Sequence, residues 1–429
     1  MTSQEAAFGR ADPDVVVIGG GVAGLWCARA LRCRGATVTV LERGALGGPQ
    51  SCSTGNTGFV GTHGAAPLAV PGMAELAVPG AVDADESWRV TPDADAGLRH
   101  WLEHFRRSCT AEAAAAGFRT LIALKKRSLE ILLELCATDC TAATFESPGI
   151  VLAFKSAEGF AEASRAVART VAGGVPLRVL GPGELDELEP KTRFDIHGAL
   201  YNPEGAYLHV PDFLLEFGRL LRAEGVEIGE HTEVTGFTVR DRKVLRLSTT
   251  HGDLRPGQVV IAAGAWSGEC ARMAGMDLLV QPVKGHTVTV DRPPSAPTRP
   301  VLLSEARVAM VPLGDRLRIG GQLKLAGMST ETSADRVRAV LGAAREYLPA
   351  LEDTATVATW SGLRPCTPDG LPLIGRAAAL ANILVAAGHG HIGMGLAPAT
   401  GELAAQLLAG EQPTTDPNPL RPDRFGTPT

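Results

Sequence analysis

The residues with the clearest chemical potential stand at the two ends of the chain. Near the start, Gly19, Gly21 and Gly24 form a G-x-G-x-x-G turn filled in by Gly20, Val22 and Ala23, and Glu42 and Arg43 follow one β-α-β unit later. Gly19 permits the sharp turn, Gly21 lets backbone N–H groups approach a pyrophosphate, and Gly24 lets helix and strand pack closely. An acid about 20 residues further on accepts hydrogen bonds from an adenosine ribose, and its charge argues against a 2′-phosphate. Near the end, Arg364 lies in W-S-G-L-R-P (360–365), and His389 and His391 lie in G-H-G-H-I-G-M-G (388–395). A guanidinium grips a carboxylate in a planar, bidentate fashion and stays charged when buried. Imidazole titrates near neutrality, so His286, His389 and His391 are candidates for assisting proton movement. The H-x-H pair has no adjoining acid or cysteine, whereas zinc needs three or four ligands, so no metal is expected.

Strands and helices must position these groups. Residues 15–18 read as a strand, 22–34 as a helix closed by Gly35, and 37–41 as a second strand ending at Glu42. The small-residue loop S-C-S-T-G-N-T-G (51–58) offers Ser53, Thr54, Asn56, Thr57 and Gly58 to a ligand at close range. Residues 96–140 carry apolar positions at the spacing of two amphipathic helices, and 209–224 of another. Val234 lies in a strand over 233–240. The β run 258–261 leads into A-A-G-A-W, which contains Ala263, Gly264 and Trp266. Residues 282–290, which hold Lys284 and His286, and then 301–311 and 316–321 alternate as a sheet does. A strand at 383–387 feeds the glycine-rich loop and a last helix ending near 408.

Nucleotide-binding signals thus fall at 15–60, 226–266 and 383–408, with different material between them. The fold expected is α/β. A discontinuous Rossmann-like cofactor domain (12–95, 200–270 and 355–429) receives an inserted α+β substrate domain (96–199 and 271–354) with a mostly antiparallel sheet. The chain of 429 residues carries a net charge of −6, which gives nucleic-acid binding no support. Its eight cysteines include no C-x-x-C and read as reduced thiols, with Cys136 and Cys140 as helix-packing residues. Residues 1–14 show no signal-peptide core, which makes the cytoplasm the default location.

These motifs match a known family. The chain resembles the FAD-dependent D-amino acid oxidase superfamily, which includes glycine and sarcosine oxidases, and within it the bacterial D-amino acid dehydrogenase branch. The resemblance rests on GGGVAG with Glu42, TGNTG with the following AAPLAVPG, PVKGHTV, GDRLRIGG (314–321), WSGLRPCTPDGLPLIG (360–375) and GHGHIGMGLAPATG (388–401). It implies FAD extended across the first domain with its ring at the boundary with the substrate domain. It also implies Arg364 on the substrate α-carboxylate, Lys284 near the flavin, and the loop of Gly388, His389, Gly390, Ile392, Gly393 and Met394 against the ring. The last helix then points its N-terminus at the flavin N1–C2=O edge, where a dipole stabilises the charge of reduction.

The implied activity is oxidation of a D-amino acid or a secondary or cyclic amino acid, by hydride transfer from Cα to flavin N5. The resulting imine hydrolyses to a 2-oxo acid and ammonia. Electrons pass to O2 or to a quinone, the latter implying peripheral contact with the inner face of the membrane; an oligomer is compatible with the sequence. Cys366 is offset from the cysteine that tethers flavin in sarcosine-type relatives, so the FAD is expected to be non-covalent. Three departures bear on substrate. His391 replaces an arginine of glycine oxidases, Gly64 and the region of Arg307 lack tyrosines of the dehydrogenases, and Lys324 replaces an acid. A more cationic or roomier pocket than one for D-alanine is implied, and with it a larger or second-acid substrate. The alternatives are a glycine- or sarcosine-type oxidase, the flavin subunit of a larger amine dehydrogenase, or a plain NAD-dependent dehydrogenase.

Overall fold

A computed structural model describes residues 12–83, 88–138, 144–181, 183–325 and 327–426. Cys140 and residues 1–11 lie outside them, and Cys27, Cys33, Cys52, Cys109, Cys270 and Cys366 are free thiols.

The first strand, Val15–Ile18, sits inside a six-stranded sheet. Val38–Leu41 and then Glu227–Gly229 pair parallel on one side of it, with Gln258–Ile261 and then Ile383–Ala387 on the other. Only the edge strand Leu373–Arg376 runs antiparallel. A parallel sheet is buried on both faces, so its strands read as unbroken apolar runs, and VVVI, VTVL and ILVAA are buried throughout. Val15, Val17, Val38 and Val40 pack against the helices Val22–Arg32, Val210–Ala223 and Ala397–Ala409. Val16, Ile18, Val259 and Ile261 face a three-stranded sheet made of Val234–Arg240, Lys243–Thr249 and Gly252–Leu254. This is a Rossmann-like layer of helices, parallel sheet and small antiparallel sheet.

The second layer is a nine-stranded sheet. Thr356–Cys366 forms one edge, and Gln281–Asp291 beside it pairs on its other side with Arg316–Leu325, both antiparallel. Parallel pairing occurs between Val301–Leu303 and Ile150–Phe154 and between Trp88–Val90 and Arg316–Leu325. The helix Ala334–Tyr347 buries Val337, Val340, Leu341 and Ala344 against this sheet. The α/β class with a mostly antiparallel second sheet is as expected. The strands do not follow the expected domain limits, however. Trp88–Val90, Gly198–Asn202 and Thr356–Cys366 join the large sheet although 12–95 and 355–429, and most of 198–202, were placed with the cofactor domain. Local alternation identifies a strand but not the sheet it joins, because partners are chosen by residues far away in sequence. The expected β run 301–311 is also divided, into Val301–Leu303 and Val308–Leu313, by a turn in which Arg307 takes φ 51°.

Candidate functional site

A cleft of about 440 Å³ opens beyond the carboxyl ends of the parallel strands, the usual ligand position in such sheets. The first turn is built by steric necessity. Gly19 takes φ 112°, and a Cβ there would run into the carbonyl of Ala262. A Cβ on Gly24 would strike the carbonyl oxygen of Gly19, so helix and strand touch backbone to backbone. The helix begins at Val22 after Gly21, which gives no side-chain cap, and its first turn holds no acid. Val22 N donates to Ser53 Oγ (3.0 Å), and Val22 and Ala23 face the cleft. A glycine-lined, positively polarised helix end in front of a cleft fits a pyrophosphate. Glu42 accepts from Gly20 N (2.8 Å) and Gly44 N (3.0 Å) on the cleft wall. Arg43 lies over the Trp266 ring, 3.7 Å from its centroid, and with Val234, Ala263 and Gly264 they complete that end.

At the other end, His389, Gly390, Gly393 and Met394 line the cleft. His389 is buried, its Nε2 lies 2.9 Å from Thr400 Oγ1, and burial pulls its pKa down to about 4. Gly390 N donates to Pro365 O (2.7 Å), which ties this loop to the strand bearing Arg364. The helix Ala397–Ala409 follows, without a side-chain cap from Leu396 or an acid in its first turn.

A second cavity of about 380 Å³ adjoins the cleft, and Cys52 and Asn56 line both. Arg364, His391, Ile392 and Thr57 line this second space with Trp360, His63 and Lys125. Arg364 donates to Gln322 O, and among the described residues no carboxylate pairs with it. The ring of His391 is open to the cavity, yet desolvation and the Arg364 and Lys125 cations pull its pKa down to about 3. It is therefore neutral through the physiological range.

The remaining expected residues act from behind the walls or lie elsewhere. Gly58 takes φ 86° with no room for a Cβ beside Leu208 O, and Gly388 takes φ 77° against Thr367. Thr54 contributes its carbonyl to Arg318. Lys284 and His286 line neither cavity. Thr287 lines the second cavity and a Cβ on Gly285 would meet Arg364, so strand alternation turns Lys284 and His286 to the opposite face. There Lys284 Nζ donates to Ser329 Oγ (3.2 Å) and Glu331 O (3.2 Å). Both His286 ring nitrogens are buried without a partner among the described residues. Gly64 and Arg307 do line the cavity, and Lys324 does not. No three His, Cys, Asp or Glu side chains gather as a metal cluster among the described residues.

Two residues went unread in the sequence. Arg318 Nη1 donates to Thr54 O (2.9 Å) and Asn56 O (3.1 Å), so the large sheet clamps the loop shared by both cavities. Lys125 is 2% exposed, and Leu121, Lys125, Ser128, Leu132 and Leu135 are all buried along the helix Ala111–Thr138. A lysine at a position of the apolar stripe was the available signal.

The described geometry agrees with comparisons across the whole chain. Residues 14–407 match the DAO family model, FAD dependent oxidoreductase. The D-amino acid dehydrogenase of Rhizorhabdus wittichii is 28% identical over 96% of this chain and 100% of its own length. That of Agrobacterium fabrum is 27% identical over 96% and 99%. The crystal structure of glycine oxidase from Geobacillus kaustophilus superposes with a TM-score of 0.77, at 26% identity, over 96% of this chain and 98% of the other. No helix among the described residues is long and apolar enough to cross a membrane. The family match runs from the first strand to the last helix, through both ends of the cleft, and the chain belongs to the DAO family of FAD-dependent oxidoreductases.

Proposed function

We propose that this enzyme oxidises an amino acid, a D-amino acid or one with a secondary or cyclic amine, at the carbon that carries the nitrogen. The carrying observation is Arg364, a cation with no carboxylate partner among the described residues, on the wall of a cavity that adjoins the cofactor cleft. The names of the dehydrogenase relatives and of the glycine oxidase neighbour support the same class. FAD, when bound non-covalently in the cleft, supplies the acceptor for the hydride that leaves Cα.

The chain's own residues bind and orient. Arg364 holds the α-carboxylate with two parallel N–H bonds. Among the described residues no Asp or Glu lines the cavity, so the substrate nitrogen finds no counterion there and reacts as the neutral amine. Its lone pair then becomes the C=N bond as hydride leaves. His391, neutral beside Arg364, offers the amine a hydrogen-bond partner and adds no charge. Water hydrolyses the released imine to a 2-oxo acid and ammonia where the amine was primary, and to the 2-oxo acid and the corresponding primary amine, on the same chain for a cyclic substrate, where it was secondary. Electrons finally pass to O2 or to a quinone, and a quinone route involves peripheral contact with a membrane. Lys284 and His286 have no part in this reading.

The test is anaerobic bleaching of the flavin absorbance by a panel of D-, L- and N-alkyl amino acids, followed by O2 or a quinone. Removing one partner of a desolvated charge pair costs about 2–5 kcal/mol, so Arg364→Ala should raise KM roughly thirtyfold or more. Bleaching with an unchanged KM would refute the carboxylate grip.

A further inference from the structure

The cavity beside the cleft has a one-sided charge. Arg364, Arg307 and Lys125 line it, and among the described residues no Asp or Glu does. Arg307 is within 3.4 Å of Asp83. Lys125 has no ion pair among the described residues; its Nζ donates only to Gly61 O (3.3 Å). An ammonium carries three donors, and a buried charge without a counterion is costly unless a ligand completes it. Lys125 keeps most of its charge at neutral pH, because burial pulls it down only to about 8.

Lys125 and Arg364 come from different elements, the helix Ala111–Thr138 and the strand Thr356–Cys366. Both line the same cavity as His391. The volume of about 380 Å³ lies within the range of pockets that hold ligands much larger than glycine.

We propose that the substrate is a dicarboxylic amino acid, its α-carboxylate on Arg364 and its second carboxylate on Lys125. This rests on the amino acid oxidation proposed above and adds the substrate class. A neutral amino acid leaves Lys125 uncompensated, whereas an acidic one supplies a counterion to each cation. Discrimination follows, because a site built around a buried charged group rejects the ligand that leaves it unpaired.

The holoenzyme is tested with aspartate and glutamate against alanine, norvaline and leucine, each in both enantiomers, by anaerobic flavin bleaching. The acidic members should show kcat/KM at least about tenfold above neutral ones of similar length. In Lys125→Met that ratio should fall about tenfold, chiefly through KM, and Lys125→Arg should restore part of it. A measurement on the unaltered protein guards against misfolding: succinate or glutarate should perturb the flavin spectrum at concentrations about tenfold below butyrate or valerate. Neutral amino acids that bleach as well as acidic ones overturn this inference and leave amino acid oxidation standing. An acidic-to-neutral ratio unmoved in Lys125→Met, with weaker FAD retention, assigns the cation to the cofactor and also overturns it. Absence of bleaching by any amino acid defeats the underlying reading instead.

Discussion

Glu42 lines the cleft and braces the turn beside it. Its carboxylate accepts from Gly20 N and Gly44 N, so it holds the shape of the turn before any ligand arrives. Hydrogen bonds to a charged group are worth about 1.5–3 kcal/mol each, and leaving their donors buried and unpaired costs a similar amount. Glu42→Gln retains an acceptor oxygen but loses the charge and one of the two acceptor positions. FAD affinity should therefore fall about tenfold or more, measured by titrating the apoprotein with FAD and following flavin fluorescence. An unchanged affinity would mean that the carboxylate serves the turn alone. Arg318 acts at the same scale from the other sheet, through the carbonyls of Thr54 and Asn56. Arg318→Gln should loosen the loop that both cavities share. Flavin retention on dialysis and KM for the substrate should then worsen together, a joint change that a defect confined to one cavity would not produce.

At the scale of elements, two helices without side-chain caps begin near the cleft, one at Val22 on its wall and one at Ala397, three residues after Met394, and they touch each other. The helix Ala397–Ala409 packs on Val22–Arg32, and a Cβ on Gly401 would run into the backbone of Trp26. Gly401 lines neither cavity, yet Gly401→Val must push the helices apart. Overpacking of this kind costs about 1–3 kcal/mol, and flavin content after dialysis should drop, with Gly401→Ala intermediate. A Val variant with full flavin content and unchanged Tm would show that the two helices are not coupled. The same elements explain what could be read in advance. The fingerprint was legible because each of its glycines answers to atoms on adjoining strands: Gly19 to Ala262, and Gly24 to Gly19. Arg364 was legible through its motif. The pairing of Thr356–Cys366 with Gln281–Asp291 was not, since Thr356–Thr359 is exposed and the strand carries no alternating pattern there. Lys125 showed in the sequence only as a lysine on an apolar stripe, since nothing nearby reports that its helix face meets a cavity. The faces of Lys284 and His286 depend on register across the sheet, which alternation alone leaves open by one residue.

The whole molecule carries a pH dependence set by its buried imidazoles. Burial, with the Arg364, Lys284, Arg336 and Lys324 cations, pulls His286 down to about 4, and burial alone does so for His389. In the unfolded chain both take up protons near the ordinary value of 6.5. Between that value and about 4 the unfolded state binds more protons than the folded one, so stability falls as the pH falls through this window. Each such histidine adds a slope of up to about 1.4 kcal/mol per pH unit. The same sign holds on the alkaline side for Lys125, which titrates at about 8 when folded against 10.5 when unfolded, so stability gains from that residue as pH rises between those values. The measurement is Tm of the FAD-depleted protein from pH 7 to pH 5, beside His286→Leu. The unaltered protein should lose several degrees across that interval. The variant should lose measurably less, because one of the buried imidazoles that resist protonation is gone and both of its buried ring nitrogens lacked a partner among the described residues. A flat Tm between pH 7 and pH 5, or an equal loss in the variant, would show that His286 gains solvent or a proton in the folded state.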